Sequence, residues 1–185
     1  MSETGLQIAS IHEKLGAKIL QSWVAQGDDV VMLDRNGLRE SFRRLKDELN
    51  FDLLCDITAV DYWQKQEPRF EVVYQIASLQ SRYRLRLRVA VPENDPTVDS
   101  LTPLWRGANF LEREVWDLYG IRFIDHPDLR RILLYDEFQG HPLRKDYPVN
   151  LCQPRVPERP VDGTFVDERS RNKLLRLQKS LSSKR

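Results

Sequence analysis

The sequence has little of what most cofactor sites are made from. Only two cysteines, Cys55 and Cys152, occur among 185 residues, which excludes a disulfide framework and any four-cysteine iron–sulfur or zinc site built by this chain alone. Cys55 lies inside the apolar, strand-like run FDLLCDITAV, where a small buried thiol is the expected role. Charge of one sign is also missing: 29 Lys and Arg stand against 28 Asp and Glu, a net +1, so no whole-chain field draws the protein to nucleic acid or anionic lipid. No apolar run reaches the roughly 18 to 20 residues that span a bilayer. The start, MSETGLQIASIHEKLG, has neither a basic head nor an apolar block, and the expectation is a cytosolic chain. Phosphate loops of the GxGxxG or GxxxxGKS/T kind are absent, as is a GxSxG elbow, and neither cysteine adjoins a histidine. There is no internal repeat and no low-complexity tract.

What is present is pattern. Ile11, Leu15, Ile19 and Trp23 recur four apart and predict a helix over residues 11–26. DVVMLD, residues 29–34, reads as a short strand. Beyond Asn36 and Gly37, Leu38, Phe42, Leu45 and Leu49 form the apolar stripe of a helix, with Arg39, Glu40, Arg43, Arg44, Lys46 and Glu48 covering its other side. Three alternating strands follow: Phe51, Leu53, Cys55 and Ile57; Phe70, Val72, Tyr74 and Ile76; Tyr83, Leu85, Leu87, Val89 and Val91. If the last two pair through a turn near Gln80 and Ser81, any register in which partner numbers sum to an odd value puts both apolar sets on one face. The other face then carries Arg82, Arg84, Arg86 and Arg88, with Glu71 and Gln75 in reach. A helical region from about Thr97 to Tyr119, interrupted near Arg106 and Gly107, ends at Gly120, a residue suited to the positive φ just past a helix. Ile121, Arg122 and Phe123 suit a last strand.

This order predicts an α+β fold: a mostly antiparallel sheet with helices packed on one face, followed by an extended Pro-rich C-terminal segment. Three parts are expected. Residues 1–125 form the core with its N-terminal helix. Residues 126–165, marked by Pro127, Pro142, Pro148, Pro154, Pro157 and Pro160, form an extended partner-docking segment, since so long a Pro-marked stretch is either disordered or ordered by lying on a partner. Residues 166–185 form a basic tail.

The candidate chemistry is thin. Four arginines on one sheet face suggest a phosphate platform, but that face lacks the interleaved aromatics that stack bases, since alternation puts Tyr83 on the other side; a solvated, salt-bridged surface is the plainer reading. In the stretch EREVWDLYGIRFIDHPDLRRILL, residues 112–134, helix geometry sets Glu112 and Glu114 about 200° apart. Arg113 and Asp117 stand at i, i+4, which favours an ion pair over two cooperating acids. Phe110, Leu111, Val115, Leu118 and Tyr119 supply the stripe that packs on the sheet, with the charged side outward. His126-Pro127 and His141-Pro142, even with Cys152, are widely spaced and lack an evident fourth donor for a metal.

The same stretch carries a resemblance. Glu112-Arg113-Glu114, then Trp116, Asp117-Leu118-Tyr119 and Gly120, then His126-Pro127 and Arg130-Arg131-Ile132-Leu133, resemble the signature of the 30 kDa, or C-type, subunit family of proton-pumping NADH:quinone oxidoreductase, respiratory complex I. GHPLRKDYP, comprising Gly140, His141, Pro142, Leu143, Arg144, Lys145, Asp146, Tyr147 and Pro148, resembles that family's second recurring stretch. Related subunits occur in chloroplast-type dehydrogenases and membrane-bound hydrogenases. The resemblance covers about residues 25–150 and implies an α+β fold in a hydrophilic subunit of the peripheral arm, with no catalytic residues and no flavin, nicotinamide, iron–sulfur cluster or quinone of its own. FMN, iron–sulfur clusters and quinone are expected in partner subunits. It further implies docking on the D-type subunit, which with the B-type subunit frames the quinone pocket, and a peripheral position on the cytoplasmic side of the inner membrane, or the matrix side in mitochondria. The chain's end at Arg185 fits the form in which the C-type and D-type subunits are separate polypeptides.

The resemblance also suggests residue roles. Glu112, Arg113, Glu114 and Asp117 are expected to pair with partner charges or with Arg130 and Arg131. Trp116 and Tyr119 supply hot-spot area, and Pro127, Pro142 and Pro148 pre-extend the chain for docking. Two rival readings stand beside this one. An RNA- or ribosome-binding module would use the Arg82, Arg84, Arg86 and Arg88 face and the basic tail; a small enzyme using Glu112 and His126 would require a concave pocket around both.

Overall fold

A computed structural model describes residues 3–155. The expectations on residues 156–185, the end of the Pro-marked segment and the basic tail, lie outside the described residues. The described residues up to Gln153 form one compact unit. Its elements are α1 (Glu3–Leu15), a single 3₁₀ turn (Gly16–Lys18), β1 (Ile19–Ala25), β2 (Asp28–Leu33), α2 (Leu38–Leu49), β3 (Leu53–Asp61), β4 (Phe70–Ser78), β5 (Tyr83–Val91), β6 (Thr97–Asp99), α3 (Ala108–Tyr119) and β7 (Arg122–Ile124). Five strands form one sheet in the order β1-β2-β5-β4-β3, in which only β2 and β5 run parallel; β6 and β7 pair in parallel apart from it. The fold is therefore α+β with a mostly antiparallel sheet.

The register of the central hairpin follows from its alternation. Phe70 faces Val91, Tyr74 faces Leu87 and Ile76 faces Leu85, partner numbers that sum to an odd value, so both apolar sets share the core face. Leu38, Phe42 and Leu45 of α2, Ile11 and Leu15 of α1, and Ala108 and Val115 of α3 join the same core cluster. The Phe42 ring lies 4.9 Å from Tyr74 and 6.1 Å from Trp105; truncating such a fully buried ring to Ala costs about 3–5 kcal/mol. Asn50, at φ 56, stops α2 in the left-handed conformation, its N–H returning to the Leu45 carbonyl.

Several expectations need correction. Residues 19–25 are a strand, not the end of a helix. Gln26 and Gly27, both at positive φ, form a two-residue turn that pairs Ala25 with Asp28, and that hairpin outweighs the helical spacing of Ile19 and Trp23. Cys55 is exposed. The β3–β4 register slips between Leu54 and Asp56, so Leu54 faces Ile76 and Ile57 faces Tyr74; the bulge at Cys55 places Leu54 and Ile57, three apart, on one side and turns Leu53 and the thiol outward. Residues 97–107 are not helical: Thr97–Asp99 pair with Arg122–Ile124, and Pro103 follows in a turn where it cannot continue a helix. Phe110 is 61% exposed and stands outside the buried stripe of α3.

Candidate interaction site at the end of α3

The helix predicted to carry its charges outward carries two of them inward. Among the buried residues of α3 are Glu112 and Asp117 alongside Ala108 and Val115. The Glu112 carboxylate is sealed against the turn that follows β6. It accepts from Ser100 Oγ at 2.7 Å, from the Leu101 N–H at 2.6 Å and from Thr102 Oγ1 at 3.3 Å. Burial pushes its pKa up to about 7, against the opposing pull of these hydrogen bonds. His126 Nε2 lies 3.9 Å away, with both side chains fully buried. Because the Asp128 N–H donates to His126 Nδ1 at 3.0 Å, the ring proton sits on Nε2 and is given to the Asn109 carbonyl at 3.2 Å. Burial lowers the His126 pKa, so the ring is neutral and makes no true ion pair with Glu112. A groove of about 440 Å³ passes His126 between β7 and Leu129, but Glu112 does not line it. Glu112 and His126 therefore do not share that groove.

Asp117 is the organiser of the loop that follows. Its Oδ2 accepts the N–H groups of Ile132, Leu133 and Leu134 at 3.1, 2.9 and 2.9 Å, and its Oδ1 accepts Arg131 Nη1 at 2.6 Å. Burial alone would raise its pKa; the three backbone donors and Arg131 outweigh that and hold it below the ordinary carboxylate range. The expected i, i+4 pair of Arg113 with Asp117 is not formed. Arg113 instead donates to the carbonyls of Arg130 and Arg131, each at 3.0 Å. Arg131 extends onward to the carbonyls of Phe138 at 2.8 Å and Gly140 at 3.2 Å, its guanidinium lying over the Trp116 ring.

The second recurring stretch closes the helix terminus. The last turn of an α-helix leaves carbonyls without partners, and here His141 Nδ1 takes Asp117 O at 2.9 Å, the Leu143 N–H takes Leu118 O at 3.1 Å, and Arg144 Nε takes Tyr119 O at 2.5 Å. Burial lowers the His141 pKa, consistent with a neutral ring donating from Nδ1. Gly120 sits between these groups at φ 75, and a Cβ there would lie 2.6 Å from both Arg144 Nη2 and the His141 ring. Gly140, at φ 87, is pressed by the Tyr147 ring in the same way, which stacks 6.2 Å from Phe138.

A cluster that the motifs did not point to ties this assembly to the sheet. Arg69, 2% exposed, grips Asp61 with Nε at 2.9 Å and Nη2 at 2.8 Å, grips Asp146 with Nη2 at 2.6 Å and Nη1 at 3.2 Å, and reaches Glu93 at 2.5 Å. The Lys145 N–H also donates to Asp61 at 2.8 Å. Asp61 continues the core-facing series Ile57 and Ala59 along β3, and a carboxylate in phase with a buried row was the signal available. Of the remaining expected residues, Glu114, Pro127, Arg130, Lys145 and Pro148 are exposed, with Arg130 paired to Asp128 at 2.9 Å; Trp116, Tyr119, Pro142 and Tyr147 are half-buried.

The arginine face is largely self-neutralised. Arg86 meets Asp28 at 2.8 Å, and Arg88 meets Glu71 and donates to the Tyr62 hydroxyl at 2.6 Å. The expectation that this face lacks aromatics is corrected by β1, whose strand conformation brings the Trp23 ring 5.7 Å from the Arg88 guanidinium. Arg82 lies in the turn, at φ 52, rather than on the strand. Among the described residues no group of three or more His, Cys, Asp or Glu has the arrangement to hold a metal ion.

Fold and site define a small α+β protein whose buried polar side chains fix the loops that follow α3. Comparison with known proteins gives that class its family. Residues 31–152 match the model of the respiratory-chain NADH dehydrogenase 30 kDa subunit. The chain is 46% identical over 149 residues to the NADH-quinone oxidoreductase C subunit of Geobacter sulfurreducens, covering 80% of this chain and 92% of that protein. It is 43% identical over 149 residues to the second C subunit of Rhizobium etli, covering 80% and 79%. A solved structure described as "Nqo5 of the trypsin-resistant fragment (1-134)" superposes with a TM-score of 0.60 at 39% identity, covering 66% of this chain and 99% of that one. A chain of the membrane-bound sulfane sulfur reductase, an archaeal respiratory membrane complex, superposes at 0.69 with 25% identity, covering 80% and 88%. The chain belongs to the 30 kDa subunit family of respiratory complex I, the family of the NADH-quinone oxidoreductase C subunits.

Proposed function

We propose that this protein is a non-catalytic peripheral-arm subunit of a proton-translocating NADH:quinone oxidoreductase, bracing the quinone-reducing module by docking on its D-type subunit, with the B-type subunit nearby. The observation that supports this most is how the two recurring stretches are used. Asp117, His126, His141 and Arg131 are consumed in fixing residues 126–148, and Glu112 in holding the turn after β6, while the fixed stretch presents Leu133, 60% exposed, and Leu143, with Val149 and Leu151 exposed just beyond it. Apolar side chains held rigidly in solvent on an ordered loop are the composition of a partner-facing patch.

The proposal gives this chain no flavin, nicotinamide, iron–sulfur cluster or quinone, and leaves those groups to its partners. It places the chain peripherally on the cytoplasmic side of the membrane, or the matrix side in mitochondria; no helix among the described residues is long and apolar enough to cross a bilayer. The names of its relatives, subunits of NADH-quinone oxidoreductase, support the same assembly. Co-purification of the tagged chain from solubilised membranes, with identification of the attached subunits, tests it. A flavoprotein NADH-oxidising module and the D-type subunit in stoichiometric amount are expected; their absence refutes it. The RNA-binding alternative has lost Arg86 and Arg88 to carboxylates, and predicts a steep salt dependence of RNA binding by the isolated chain.

A further inference from the structure

Three arginines serve the region where the second recurring stretch meets the core, and two of them are matched to carboxylates. Arg69 holds Asp61, Glu93 and Asp146; Arg131 holds Asp117. Arg144 is half-buried and makes no ion pair among the described residues. Its Nε is committed to the Tyr119 carbonyl at 2.5 Å, its Nη2 is packed above Gly120, and its guanidinium stacks 5.3 Å from the Phe70 ring. Asp146 is near enough to feel its charge, but that carboxylate is engaged by Arg69 at two oxygens. A guanidinium held in one orientation by a carbonyl, a ring and a glycine has already lost its side-chain entropy, so a carboxylate that meets it gains a charge-assisted bond without further ordering.

Arg144 and Asp146 line a groove of about 330 Å³ whose other walls are Gln139, Gly140, His141, Tyr147, Pro148 and Leu151; the Asp146 carboxylate there is held by Arg69. The walls are mainly apolar or aromatic, and the exposed Leu143 and Val149 flank the same stretch. Resting on the docking role proposed above, we propose that this groove is the socket for an aspartate or glutamate side chain of a partner subunit, seated on Arg144 with apolar neighbours against Pro148 and Leu151. The charge argues for the occupant: among the described residues Arg144 is the one cation of the three with no carboxylate matched to it, and completing it offsets the cost of a half-desolvated guanidinium.

The test uses the assembled complex. Arg144→Lys keeps the charge and places a primary amine in the groove, and a zero-length carbodiimide joins such an amine to a carboxylate in contact with it. Peptide mapping is expected to find position 144 joined to an Asp or Glu of another subunit. A link only to this chain's own Asp146, Glu158, Asp162, Asp167 or Glu168, or no link, overturns the proposal. On the unmodified protein, phenylglyoxal is expected to label Arg144 in the isolated chain and to label it at least 10-fold more slowly in the complex; equal rates overturn the proposal even if the variant fails to fold. If the unmodified chain is absent from the purified complex, the docking role itself fails. If it is present and Arg144 reacts as fast as in the free chain, only the socket fails.

Discussion

Arg69 and Asp146, 77 residues apart, meet in a two-bond ion pair with Nη2 2.6 Å from Oδ1 and Nη1 3.2 Å from Oδ2. On its other side the same guanidinium holds Asp61 on β3. The pair is the rivet between the sheet and a stretch with no helix or strand of its own, residues 140–148. Irregular backbone without a ladder to hold it is fixed here by side chains, and those side chains set where the exposed loop residues point.

Replacing Arg69 removes the rivet and strands a buried charge. Arg69→Met leaves Asp61 without its counter-ion, and a loss of about 3–5 kcal/mol in urea unfolding is expected. Asp146→Asn should cost no more than about 1 kcal/mol, because Asp146 is 41% exposed and water screens it. Equal losses for the two variants would contradict the assigned roles.

Asp117→Asn weakens the cap on three backbone N–H groups and on Arg131. A cost of about 1–3 kcal/mol is expected, with faster amide hydrogen exchange at Ile132, Leu133 and Leu134. The folded pKa of Asp117 is depressed, so its contribution is present above the unfolded carboxylate pKa and is lost as pH falls through the folded value. Acid unfolding of the variant should therefore be less steep than that of the parent. Unchanged exchange at the three amides would show that Asp117 does not hold the loop.

Glu112 runs in the opposite direction. Its folded pKa is raised to about 7 from 4.5, so its stabilising effect is complete below about 4.5 and is lost as pH rises through about 7. The size of that loss is about 3 kcal/mol. Glu112→Gln keeps an acceptor for the Leu101 N–H but cannot ionise, so the difference in unfolding free energy between parent and variant should move in favour of the variant between pH 5 and pH 8. A pH-independent difference would contradict the buried, titrating carboxylate.

Gly120→Ala tests the close approach at the end of α3. The residue stands at φ 75, and the new methyl would lie 2.6 Å from Arg144 Nη2 and from the His141 ring. The left-handed backbone costs about 1 kcal/mol for alanine, and relief of the contact must lift residues 141–144 from the carbonyls of 117–119. Chemical shifts of the His141 and Leu143 amides should change more than those of β4. A variant with parental stability and shifts would show that the approach is looser than described.

Much of the fold was legible because it is carried by periodicity. The β4–β5 register follows from Phe70, Tyr74, Leu85 and Leu87, and α2 follows from Leu38, Phe42 and Leu45 to the residue. Ile19 and Trp23 misled because spacing by four fits a helix as well as one strand whose partner is set by a two-residue turn. Cys55 misled because a bulge shifts the phase of alternation without marking the residues around it. At the site, Glu112, Asp117, His141 and Arg144 were recognisable as a pattern, but their direction was not. Charged residues default to solvent, and only the folded chain reveals that Ser100, Leu101 and the 132–134 amides stand ready to receive two of them. Arg69 was missed because its partners lie 8, 24 and 77 residues away, beyond any local window.

In the function proposed above, the loops fixed by Asp117, Arg131 and Arg69 face another subunit. Hydroxyl-radical footprinting of the isolated chain and of the intact membrane complex tests it most directly. Leu133, Leu143, Val149 and Leu151, all exposed in the isolated chain, are expected to be strongly protected in the complex, while Leu20 and Val24 at the β1 edge serve as internal references. Equal oxidation of the four loop residues in both states would contradict the account.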